Sequence, residues 1–209
     1  MLNQPLTSGN AFRRMDESND ENFYSLPRFV THIDHAAINT VTNLYREFFP
    51  AGNEILDLMS SWISHLPEEI QYSRVVGLGM NKEELEANSR LTERIVQNLN
   101  TNQTLPFNNE EFDAAAICVS IQYLIEPAIV FREIARVLKQ NAPLVVTFSN
   151  RCFPSKAVYA WAAFDDEAHI ELVNEYFAAS QNFGKPEVRR HEPRTGDPLY
   201  GIIGHKKNE

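Results

Sequence analysis

Asp57 sits inside a short apolar run, Ile55 to Met59, and a polar stretch follows at once: Ser60, Ser61, Trp62, Ile63, Ser64, His65. One carboxylate followed by hydroxyl and indole donors suits holding a polar ligand better than attacking one. No Cys/His cluster has metal-ligand spacing, and no phosphate loop ending Gly-Lys-Ser/Thr exists. Asp57 is read as an acceptor of backbone N–H groups that orients the loop; a buried strand-end acid is the plain alternative. Ser60 and Ser61 are read as ligand donors. Ser64 is either a third donor or the cap of a helix opening near Pro67. Trp62 is large enough either to stack on a ligand or to fill its space. The side chains able to take a proton are His65, with an ordinary pKa near neutrality, and His32, Tyr24 and Tyr123. Capping or packing competes as a role for His65 and Tyr123. Arg151 is the cation placed to meet an acidic substrate, with a bland surface role as the alternative, and Tyr24, Arg28 and His32 are placed to close over the pocket from the N-terminal cap.

These residues need a frame that brings them to one edge. A second apolar run, Val75 to Leu78, ends at Gly79 about twenty residues after Asp57. Strand, loop, crossover and parallel strand form the first half of a doubly wound α/β domain, whose ligands sit outside the carboxyl ends of the strands. Phe112 to Val119 is near-continuously apolar, which fits a central strand buried on both faces. Ser120 and Tyr123 therefore follow one strand end. Arg151 follows another, Pro143 to Asn150. Gly79 and Asn81 follow the second strand, and Asn81 is placed to cap a helix from Lys82 to about Ser89. Arg94 to Leu99 reads as a short third strand.

Helices fill the gaps. Val30, Ile33, Ala37, Val41, Leu44 and Phe48 recur at helical spacing, with one break near His35, and Pro50-Ala51-Gly52 ends the run. Pro127 opens a helix with Val130, Ile134 and Val137 on its buried stripe. Ser155 to Phe164 reads as helical. Asp165-Asp166 caps another helix, with His169, Leu172, Val173, Tyr176 and Phe177 on one face. Pro186 to His191 and Leu199 to His205 close the chain as two strands. The expected organisation is a flexible tail over 1–20, an N-terminal helical cap over 21–50 and a Rossmann-like core over 51–209.

The chain has 209 residues, 43% of them hydrophobic, and a net charge of −9, which speaks against nucleic acid as a partner. Cys118 and Cys152 make no disulfide framework; Cys118 reads as a core thiol. No run approaches the ~20 apolar residues a membrane span needs, and the first residues lack the apolar core of a signal peptide. The expectation is a cytoplasmic protein with a small-molecule substrate and no bound metal.

Two segments carry a family resemblance. LPFNNEEFDAAAICVSIQYL resembles the LPF-x-x-x-x-FD segment and fourth strand of class I S-adenosylmethionine-dependent methyltransferases of the UbiE-like, type 11 kind. EPAIVFREIARVLKQNAPLVVTFSN resembles their REI-x-RVLKPGG helix and fifth strand. The resemblance implies a seven-stranded, mostly parallel sheet with one antiparallel strand, S-adenosyl-L-methionine as cofactor, and methyl transfer to a small molecule. It implies cofactor contacts at Asp57, Met59, Ser60, Ser61, Trp62, Gly79, Met80, Asn81, Asn98, Leu99 and Ser120, and substrate contacts at Arg28, Tyr123 and Arg151. Three positions depart from the family. Its D-x-G-x-G loop reads D-L-M-S-S here. Gly79 stands where an acid holds the ribose hydroxyls. Asn98 stands where an acid meets the adenine amino group, and its amide oxygen is able to accept that bond. The runs DLMSSWISHLP and GLGMN are similar to those of a methyltransferase-like subgroup, which makes the departures a pattern rather than damage. A methyltransferase-like binding or regulatory module without catalysis is the competing reading. A nicotinamide-dependent dehydrogenase fits less well, because no G-x-G-x-x-G follows the first strand.

Overall fold

The apolar runs become a seven-stranded sheet in the order β3-β2-β1-β4-β5-β7-β6. In this computed structural model, which describes residues 10–208, the strands are β1 (Glu54–Leu58), β2 (Arg74–Gly79), β3 (Glu93–Val96), β4 (Ala114–Cys118), β5 (Pro143–Phe148), β6 (Glu187–His191) and β7 (Leu199–His205). Strands β1 to β5 run parallel, and β7 inserts antiparallel between β5 and β6. This is the expected Rossmann-like sheet. The order reverses between β1 and β4, which creates the switch-point crevice at their carboxyl ends. No helix among the described residues is long and apolar enough to cross a membrane.

Strand alternation divides the core. Leu56, Leu58, Val76 and Leu78 face α4 (Pro127–Val137) and α6 (Asp166–Ser180) through Phe131, Ile134, Val173 and Phe177. Pro127 stands in the first turn of α4, and Asp165 caps α6 by accepting from Ala168 N–H. On the other face Ile55, Val75, Ala116 and Val145 pack against Ala37, Val41, Leu44 and Tyr45 of α2 (His35–Phe48). Asp57 lies two residues from Ile55, so it points to this second face.

The N-terminal helical cap divides into two parts. Helix α1 (Asp20–Phe23) and residues up to 34 border the cavity at the carboxyl ends of the strands, whereas α2 lies along a sheet face beside β5 and β7. The helical stripe starting at Val30 is corrected: α2 begins at His35, capped by the Asp34 carboxylate, and Val30 is 55% exposed. Of the expected flexible tail, residues 10–20 are bonded to the 153–160 segment: Asp16 N–H donates to Ser155 O at 2.9 Å, and Tyr159 N–H to Arg13 O at 2.7 Å. Lys156, fully buried, binds Asp16 at 3.0 Å and Asp20 at 3.2 Å. Residues 1–9 lie outside the described residues. Only Tyr159–Ala162 (α5) of the 155–164 stretch is helical.

A larger correction concerns the β1–β2 crossover, which holds no helix. Residues 59–73 run irregularly over the second sheet face, so nothing opens at Pro67. Their backbone groups are satisfied from elsewhere: the Arg90 guanidinium donates to Pro67 O at 3.1 Å and Ile70 O at 2.7 Å, and Thr42 Oγ1 to His65 O at 2.9 Å.

Candidate functional site

A cavity of about 320 Å³ opens at the carboxyl ends of β1, β2, β3 and β4. Its wall contains Asp57, Met59 to Trp62, Gly79 to Asn81, Asn98, Leu99, Ser120 and Tyr123, with Tyr24, Arg28, His32, His65 and Arg151 around them. Ser64 is the exception among the loop serines. It is buried beneath the cavity and acts neither as a ligand donor nor as a helix cap.

The floor is a hydrogen-bonded knot around Asp57, which is 4% exposed. Its Oδ2 accepts from Ser60 Oγ and Ser64 Oγ, both at 2.6 Å. Ser64 Oγ accepts in turn from Asn88 Nδ2 at 2.8 Å, which also donates to Ser61 O at 2.9 Å. Burial pushes the Asp57 carboxyl up to about 6, against the lowering effect of the two hydroxyls. The expected backbone N–H donors are thus replaced by side-chain hydroxyls. Met59 carries the chain out of β1 with φ of +55°, and Val119 does the same after β4 with φ of +47°. The first is a conformation the family's glycine would adopt without cost; at the β-branched Val119 it stores strain beside the cavity.

Glycine is required one strand over. A Cβ on Gly79 would overlap the Ser60 carbonyl oxygen, because the loop crosses directly against the end of β2; Ser60 N–H donates to Leu78 O at 2.9 Å. The position that carries an acid in the resembled family is therefore closed to any side chain here. The nearby acid is Glu84, in the first turn of α3 (Lys82–Ala87). Glu84 is 8% exposed and lines the cavity, accepting from Ser61 Oγ at 2.5 Å and Arg28 N–H at 2.8 Å. Asn81 caps α3 through Glu84 N–H at 3.0 Å and ties down the cap through Tyr24 O at 2.9 Å.

Asn98 differs from expectation in its polarity. Its amide oxygen accepts from Asn100 N–H at 2.9 Å, so the group left open is the buried Nδ2 donor. Ser120 Oγ and His65 Nδ1 are likewise buried without a partner. Buried polar atoms without partners are uncommon, and the residues that carry these three all line the cavity.

The outer wall is aromatic and cationic. The Arg28 guanidinium lies over the Phe23 ring at 4.5 Å and donates to Phe23 O at 2.8 Å. Phe153 packs edge-on to Phe23 at 5.3 Å and to His32 at 5.3 Å, and Tyr123 OH accepts from Phe153 N–H at 2.8 Å. The Trp62 indole N–H donates to Val30 O at 3.1 Å, latching the cap to the loop after β1. Arg151 stands exposed at the mouth, 3.9 Å from Asp197.

Among the proton acceptors, burial lowers His65 to about 4 and depresses His32 as well, so both are neutral at pH 7. His65 is not in a helical turn: its φ is +54°. Burial lifts Tyr123 to about 12 and Tyr24 far above the ordinary range. Neither phenol ionises near neutrality. Cys118, expected in the core, joins the cavity wall, its thiol pushed up to about 11 by burial.

The sequence reading missed Glu84, Asn88 and Phe153. Glu84 had a local signal, Asn81-x-x-Glu84, but that pattern points to a capping box turned toward its own helix. Asn88 and Phe153 had none, since their roles depend on distant chain segments.

Comparison with known proteins agrees with this geometry. A family model described as a methyltransferase domain matches residues 60–146. No curated protein matches the sequence significantly. The crystal structure of the 4+2 cyclase SpnF aligns with a TM-score of 0.63 at 15% identity, covering 82% of each chain. Haemonchus contortus phosphoethanolamine N-methyltransferase 2, in complex with S-adenosyl-L-methionine, aligns at 0.60 and 13% identity over 81% of this chain and 53% of that one. A methyltransferase of Methanosarcina mazei, titled as dependent on the same cofactor, aligns at 0.52 and 17% identity over 79% of this chain and 98% of that one. At such identities the structures establish the fold. Residues 60–146 thus resemble a methyltransferase domain, and the chain shares the fold of these solved structures.

Proposed function

We propose that the protein is an S-adenosyl-L-methionine-dependent methyltransferase acting on a small molecule. The observation that carries this reading is the cavity at the β1/β4 switch point, lined by Asp57, Gly79, Asn98 and Ser120 from four successive strand ends. The residues fit the group: the wall carries the Glu84 carboxylate as acceptor, Asn98 and Ser120 with a buried donor each that has no partner among the described residues, and apolar cover from Leu99 and Met80. The bound cofactor supplies an already activated methyl group on a sulfonium. The protein's part is positioning and exclusion of water. Asp57, through Ser60 and Ser64, fixes the loop under the ligand. The cap, held by Trp62, Asn81 and Glu84, closes the acceptor side. Arg28 and Arg151 hold an acidic acceptor, with Tyr123 against it. A nucleophile that loses a proton finds neutral His32 or His65 in the same wall, whereas the tyrosines stay protonated. The unusual DLMSSWISHLP loop is read as a subgroup pattern. The cytoplasm is the compartment this reading assumes.

A second reading is a methyltransferase-like module without methyl transfer. The glycine-poor loop favours it, and the 4+2 cyclase with the same fold illustrates that architecture alone does not fix the reaction. Incubation with methyl-labelled S-adenosylmethionine and pooled small-molecule acids separates the two. Label in a new small molecule supports the enzyme; tight cofactor binding without transfer to any acceptor supports the module.

A further inference from the structure

We propose that Glu84 holds the ribose hydroxyls of the cofactor, taking over from the end of β2 a task that position has no room to perform. The proposal rests on the reading that the cavity takes S-adenosylmethionine.

The ribose diol offers two adjacent O–H donors, and a carboxylate is their natural acceptor. At Gly79 the Ser60 carbonyl occupies the space of a side chain, so no acid fits there without displacing the loop. Five residues on, Glu84 is 8% exposed and still reaches the cavity wall. Its known partners are neutral, the Ser61 hydroxyl and the Arg28 backbone N–H. No cation pairs with it among the described salt bridges, which is unusual for a carboxylate so well buried. The capping-box role predicted by its position would turn the carboxylate back to Asn81 N–H. Both oxygens accept instead from the loop after β1 and from the cap, the two segments between which a ligand must lie. A carboxylate has about four lone-pair sites, and two remain after these bonds. Because one oxygen also holds Arg28 N–H, ribose binding at Glu84 would be felt directly by the cap.

The test is calorimetric titration of the full chain with S-adenosylhomocysteine and with its 2′-deoxy and 3′-deoxy analogues. The wild-type protein is expected to prefer the intact ribose by ten-fold or more. In Glu84→Gln that preference should shrink to about three-fold or less, while binding of the deoxy analogues changes little. Equal weakening of all three ligands, with the preference kept, would show a purely structural Glu84 and overturn the proposal. A wild type that binds all three equally overturns it without any variant. Should the variant not fold, a crystal structure of the wild type with S-adenosylhomocysteine decides: ribose hydroxyls on Glu84 support it, ribose hydroxyls on other groups refute it. Failure of the wild type to bind any of the three ligands would instead remove the methyltransferase reading itself.

Discussion

Gly79 lies so close beneath Ser60 that any side chain there would meet the Ser60 carbonyl. The absence of an acid at the end of β2 and the path of the loop after β1 are therefore linked. The loop crosses the end of β2, and its path requires glycine at position 79.

Placing an acid at position 79 should consequently fail. Gly79→Asp is expected to lose about 2–4 kcal/mol of stability, through backbone displacement and a buried charge without a partner. It should weaken S-adenosylhomocysteine binding as well. Thermal unfolding and titration check both; a variant as stable as wild type that binds more tightly would contradict the arrangement.

Asp57 should set a pH dependence. Its folded pKa of about 6 lies above the ordinary 3.8. A carboxyl whose pKa is raised on folding contributes stability that is fully present below about pH 4 and lost as pH climbs to about 6. The loss is on the order of 3 kcal/mol. Asp57→Asn keeps an acceptor for Ser60 and Ser64 but does not titrate. Relative to wild type, the variant should gain stability between pH 4 and pH 7 in urea unfolding. Parallel pH profiles for the two proteins would show that Asp57 is not the cause.

Trp62 offers an optical readout. Its indole bridges to Val30 O and meets Phe29 edge-on at 6.4 Å, beside the cavity. Trp161 is buried against His169 at 4.0 Å, away from it. S-adenosylhomocysteine should change the fluorescence of wild type and leave that of Trp62→Phe unchanged. The same response in both proteins would place the signal elsewhere.

Much of this molecule is legible in its sequence, for definite reasons. β1, β4 and β5 are buried on both faces and read as continuous apolar runs. α6 announces itself by the Asp165 cap. The residues that line the cavity were legible because the fold places strand ends together and strand ends are easy to locate. What was not legible depends on distant partners. Val30 and Ile33 mimic a helical stripe by spacing alone, while the Asp34 cap sets the true start. The crossover after Asp57 lacks a helix because Ser60 and Ser64 are spent on Asp57 and Arg90 satisfies the Pro67 and Ile70 carbonyls. Glu84 looks like a local capping residue until the cap segment is seen against it.

The first described residues supply a further prediction. Sequence alone would allow residues 1–18 to be removed freely. Lys156 is fully buried, and that deletion takes away Asp16 and the Ser18 carbonyl, leaving Asp20 as its anion. The cost should be about 3 kcal/mol, and Lys156→Met in the shortened chain should recover part of it. Unchanged melting of the shortened chain would show that these contacts contribute nothing.

The cavity over Asp57 is expected to bind S-adenosylmethionine. The most direct measurement is calorimetry with that cofactor on protein cleared of carried-over ligand. Saturable one-site binding at about 1–100 μM, abolished in folded Asp57→Ala, is the expected result. No heat and no thermal shift at several-millimolar cofactor would contradict it.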